Sequence, residues 1–220
     1  MFHPDDNPLD RGWVGRIDGD RMLHLAAQTL QSLFLNGLDA RVHAEYPLAG
    51  VTLLVPVQHP PTVRVFSDDG AFRFANATAV IGDNIAVSAS GRLLRARARV
   101  AAVIGAGGEI GGYSAFLEWV DPSAEPEVKQ SDFGLVLGPV VATPDELDRT
   151  AVGVRLRSEG AERSARLDGF AWADAVAVAG RRTTLRPGDV LAGPPVLELD
   201  TGSGAELEVD GVGILRAPLA

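Results

Sequence analysis

From residue 63 onward the chain is written in short apolar segments separated by turn residues: 63–66, 78–81, 85–88, 93–104 and 111–119, then 152–157 and 163–167, joined near Glu159-Gly160. Segments of this length bounded by Gly, Pro, Asn or Asp suit strands, and they arrive without the long helical patterns that alternate with strands in a parallel, doubly wound sheet. This predicts a mainly β (α+β) fold, a mixed β-sandwich or rolled sheet, over 50–220. A short helix is expected inside it where Phe170, Ala173, Val176 and Ala177 share a side before Gly180, and Thr143-Pro144-Asp145-Glu146 reads as a turn or short helical start.

The first 49 residues read as a small α+β piece. Residues 13–17, the turn Asp18-Gly19-Asp20 and residues 21–23 suit a hairpin. Leu25, Ala26, Leu30, Leu33 and Phe34 then recur at helical spacing, with Asn36-Gly37 as a stop. Residues 1–10 offer little to bury and read as a loose start, and a Pro-studded connector spans 47–61.

Composition excludes several function classes. A net charge of -9 opposes nucleic acid and anionic membranes as partners. No apolar run approaches the roughly 20 residues of a membrane-spanning helix, and the first thirty residues lack a basic-then-apolar secretory pattern. The absence of cysteine removes disulfides and thiolate chemistry and fits a cytoplasmic chain. His24, His43 and His59 are scattered among unrelated segments, and Ser114 and Ser131 have no histidine partner nearby in sequence. Gly105-Ala106-Gly107-Gly108 has no helix after it and reads as a turn, not a phosphate cradle.

Residues 129–147, KQSDFGLVLGPVVATPDEL, carry an apolar run broken by Gly138-Pro139 and closed by Pro144, as expected of a buried strand that bends and then turns. A core strand does not require D-F-x4-G-P-x-V-x-T-P-D-E-L in that order. The string resembles the central signature of the fumarylacetoacetate hydrolase family. TTLRPGDVL at 183–191, ELEVDGVGILR at 206–216, VAAVIG at 100–105 with GGYSAF at 111–116, and LLVPVQHPP at 53–61 are similar to further motifs of that family in the same order. The resemblance implies the family's β-roll and a homodimer.

It also implies a divalent metal, held by two carboxylates of an E-x-E on the strand ending in V-V-I-G and by a third shortly after G-Y. Those positions here are Arg97, Arg99 and Glu118. A guanidinium has no lone pair to offer a metal, so the expectation is no metal and no other cofactor. The loop that carries the family's general base is reduced to 67–77, SDDGAFRFANA, without His or Glu, and Ala192-Gly193-Pro194-Pro195 replaces the family's Gly-Thr loop. At the family lysine stands Ser131, with Lys129, the only lysine, two residues earlier.

Arg95, Arg97 and Arg99 alternate with Ala96, Ala98 and Val100, so on a strand the guanidinium groups face one way. Three readings are open: a solvated face paired with acids, an oligomer contact, or an anion pocket formed by Arg97, Arg99, Glu118 and Lys129. Function divides accordingly. One reading is a non-catalytic scaffold that binds a small organic acid or an active family relative. The other is a metal-independent enzyme, a tautomerase, decarboxylase, hydrolase or cyclase, acting on a 2-oxo acid or related enolisable compound.

Overall fold

A computed structural model describes residues 1–147 and 151–220. The spine is the strand Leu94–Ile104, antiparallel to Ile110–Val120. The turn between them places Gly107 and Gly108 at φ 65° and 82°, in the left-handed region that glycine enters without strain. Around this pair curls an eight-stranded mixed sheet in the order Phe72–Ala75, Val63–Phe66, Val190–Ala192, Leu94–Ile104, Ile110–Val120, Leu135–Leu137, Val80–Ile81, and Leu197–Thr201 pairs the other half of the spine. Gly193 to Val196 step out of line between the two strands that share that edge, tied back by Gly193 N–H to Val100 O (2.9 Å) and Val196 N–H to Ala98 O (2.8 Å).

Alternation along the spine decides the layering. Leu94, Ala96, Ala98, Val100, Ala102 and Ile104 face a second, four-stranded antiparallel sheet ordered Ala161–Asp168, Ala151–Ser158, Gly204–Val209, Gly213–Pro218. The small alanines leave room for Leu117, Trp119, Leu156, Leu207 and Leu215, all fully buried between the layers. Each such leucine contributes about 1.5–3 kcal/mol through burial. The helix Trp172–Ala179 closes one end, with Trp172 edge-on to Tyr113 at 5.2 Å between ring centroids. The opposite face of the spine carries Arg95, Arg97 and Arg99 and then Ala101 and Val103, the last two buried with Phe116, Leu135, Val63 and Val190. The predicted mainly β roll is the observed architecture.

Local chemistry adjusts the ends of elements. Leu25 remains in the hairpin Gly15–Asp18/Arg21–Leu25, so the first helix runs only from Leu30 to Leu35 and not from Leu25. Thr29 Oγ1 caps it by accepting from Ser32 N–H, while Ser32 Oγ accepts from Thr29 N–H, both at 3.1 Å. Its Phe34 reaches the main core. Val42–Pro47 adds a third strand to the hairpin that the sequence pattern did not reveal. Residues 1–10 are not loose at their start: Phe2 is fully buried, exchanges backbone hydrogen bonds with Trp13, and belongs to the strand Phe2–Pro4 paired with Val51–Leu53. Segment 85–88 forms no strand of its own; Val87 makes an isolated bridge to Leu219.

Two of the quoted motifs meet directly. Tyr113 and Ala142 exchange N–H···O bonds at 2.8 Å, which brings the 111–116 and 129–147 stretches together. A Cβ at Gly112 would lie 2.5 Å from the Ala142 carbonyl oxygen and 2.5 Å from Val141 Cγ1. Gly112→Ala must therefore push one backbone from the other, and urea melts should show a loss of about 1–3 kcal/mol. An unchanged midpoint and slope would rule out this close approach.

Candidate functional site

The arginine face of the spine is flanked by acids on both neighbouring strands. Register places Glu118 opposite Arg97 on one side, and Glu198 and Asp200 opposite Arg97 and Arg95 on the other. Arg95 Nε donates to Asp200 Oδ1 at 2.8 Å and Arg97 Nε to Glu198 Oε1 at 2.8 Å. Arg99 turns the other way, toward Glu118, with Nε 3.0 Å and Nη2 2.8 Å from Oε2. Depth separates the three: the side chains of Arg95 and Arg97 are 35% and 29% exposed, that of Arg99 is 4% exposed, and that of Glu118 is wholly buried.

Arg99 is held on every side. Its Nη1 donates to the carbonyls of Phe66 (2.9 Å) and Gly193 (2.7 Å), so the out-of-line segment after Ala192 supplies one acceptor and the end of strand Val63–Phe66 the other. Burial pushes the Arg99 guanidinium below its ordinary range. The adjacent Glu118 opposes that shift, and the positive charges of Arg97 and Arg73 add to it. An arginine starts from so high a value that it remains charged. The second Glu118 oxygen, Oε1, accepts from Arg73 Nη2, and the same nitrogen donates to Ser131 Oγ at 2.9 Å. The cluster is thus an Arg–Glu–Arg triad with both carboxylate oxygens engaged.

Of the four residues assigned to an anion pocket, the structure brings together Arg99 and Glu118. Arg97 points to Glu198, and Lys129, 57% exposed, pairs with Asp132 at 2.5 Å. The residue that sequence reasoning missed is Arg73. It stands on Phe72–Ala75, inside an interval read only as the remnant of a lost loop, although the alternation Phe72-Arg73-Phe74 is a strand signal.

These residues do not fit a divalent cation. Two of the three ligand positions implied by the resemblance are guanidiniums, and the third, Glu118, has no oxygen uncommitted. Among the described residues no group of three or more His, Asp or Glu side chains is placed to hold a metal ion. His24 instead stacks on Trp13 at 4.5 Å, and no helix is long and apolar enough to cross a membrane.

No protein-family model and no curated protein sequence matches the chain. Solved structures do. Maleylpyruvate hydrolase from Sphingobium sp. SYK-6 superposes with a TM-score of 0.78 at 21% identity over 96% of this chain and 97% of its own, and a second structure of that enzyme contains manganese(II) and pyruvate. 5-Carboxymethyl-2-hydroxymuconate delta-isomerase from Mycobacterium smegmatis gives 0.73 at 20% identity over 94% of both chains. The apo form of a 2-keto-3-deoxy-D-arabinonate dehydratase gives 0.75 at 15% identity over 96% of both.

Proposed function

Proceeding from the fumarylacetoacetate hydrolase-like fold that these likenesses establish, we propose that the chain is a non-catalytic scaffold. It keeps the roll for binding a small organic acid or an active relative, and it pairs as a homodimer. One observation carries this reading: the place where the resemblance puts a metal is filled by Arg99, Glu118 and Arg73, bonded to one another and to the backbone. A metal-free enzyme would need an arginine free to meet substrate as an electrophile. Arg99 spends its donors on Glu118 and two carbonyls, and Arg97 is tied to Glu198.

The test is a turnover screen of 2-oxo acids and enolisable diketones, followed by loss of enol absorbance with and without Mn2+. No rate above the uncatalysed reaction is expected. Metal-free turnover abolished by Arg97→Ala would replace this reading with the metal-independent enzyme, and Mn2+-dependent turnover would contradict both. Sedimentation showing only particles of single-chain mass would remove the pairing.

A further inference from the structure

A second arginine, Arg64, is buried on the strand Val63–Phe66, only 3% exposed, and its charge is incompletely answered. Among the described residues its one ion-pairing carboxylate, Asp189, lies 3.7 Å away, a Coulombic contact longer than a hydrogen bond. Asp189 is already occupied: Oδ1 accepts from the Thr62 hydroxyl at 2.7 Å and Oδ2 from the Arg186 N–H at 2.8 Å. Arg64 Nη1 donates to Thr62 Oγ1 at 2.5 Å, and Arg64 Nε is buried with no hydrogen-bond partner among the described residues. The guanidinium carbon stands 5.2 Å from the Phe74 ring centre and 5.8 Å from that of Phe72, contacts that fix the group in place from one side.

This arginine lines a cavity of about 480 Å³ whose rim is formed by the exposed Thr183, Thr184 and Arg186. Two arginines against one committed aspartate leave the cavity with a positive excess, and the rim adds two hydroxyls and the exposed guanidinium fork of Arg186 as donors. We propose that the cavity is an oxyanion site that takes a phosphate group, either inorganic or carried by a small metabolite. Four donor side chains suit the three or four oxygens of a phosphate better than the two of a carboxylate. The space exceeds a bare phosphate, so the ester of a small molecule also fits. The site is separate from the Arg99 cluster and does not depend on the scaffold reading.

Calorimetric titration of the full chain at low ionic strength tests it, with inorganic phosphate, glycerol 3-phosphate and malonate as probes. Saturable binding is expected for at least one phosphate probe, with malonate weaker by roughly tenfold or more. If glycerol 3-phosphate binds and inorganic phosphate does not, the ligand is an ester; the reverse result assigns the free ion. The rim substitutions Thr184→Ala and Arg186→Ala together should weaken phosphate binding by roughly tenfold or more. Arg64→Met should abolish it, with circular dichroism reporting whether that variant folds. Failure of both phosphate probes to saturate, equal binding of malonate, or phosphate binding unaltered by the rim substitutions would overturn the proposal.

Discussion

Glu118→Gln is expected to cost about 3–5 kcal/mol of stability, the range for breaking a buried ion pair by removing one partner. The reason is what remains behind. Arg73 is 45% exposed and can swing into water, but Arg99 is 4% exposed and fastened to two carbonyls, so its charge would stay buried and unanswered. A glutamine of nearly the same shape leaves the cavity unchanged, which isolates the charge. Pairing Arg99→Met with Glu118→Leu removes both charges, and although Phe66 and Gly193 lose a donor, the double substitution should cost clearly less than the sum of the single ones. Urea unfolding of the natural chain, Arg99→Met, Glu118→Leu and the double variant reads the coupling directly, with Glu118→Gln measured beside them. A loss below about 1 kcal/mol for Glu118→Gln would show that the triad is solvated and not a packed element of the core.

The fold was legible to the extent that alternation and turn residues govern it. The period of two from Leu94 to Ile104 separated an alanine face from an arginine face, and both layers follow from that division. The fates of Arg97 and Arg99 were not legible, because they share a face and differ only in what lies over them. The turn of Gly193 out of the sheet edge and the end of strand Val63–Phe66 cover Arg99 alone. Those are tertiary contacts, about 33 to 94 residues away in sequence.

On a strand, Lys129 and Ser131, two residues apart, would share a face. The segment Glu127–Gln130 is instead a 3-10 turn after Pro126, which ends that periodicity and turns the lysine to Asp132. Arg73 is likewise hidden by its local sequence. A span judged by what it had lost concealed a four-residue strand whose single cation crosses to Glu118.

The central claim is that the arginines have replaced a metal, and divalent-cation calorimetry addresses it most directly. A cation at the Glu118 position would face two positive charges, the buried Arg99 and the half-exposed Arg73, each already bonded to that carboxylate. At an effective dielectric of about 20 each would repel a dication by several kcal/mol. Arg97→Glu and Arg99→Glu together remove the buried guanidinium and supply two oxygen donors beside Glu118, so this variant should bind Mn2+ at least roughly a hundredfold more tightly than the natural chain, a gain of about 2.7 kcal/mol. It should remain inactive, because the 67–77 span still offers no His or Glu as a base. The deciding titration is that of the natural chain with Mn2+ and Mg2+. The account predicts no saturable heat in the micromolar range, and stoichiometric micromolar binding abolished by Glu118→Ala would contradict it.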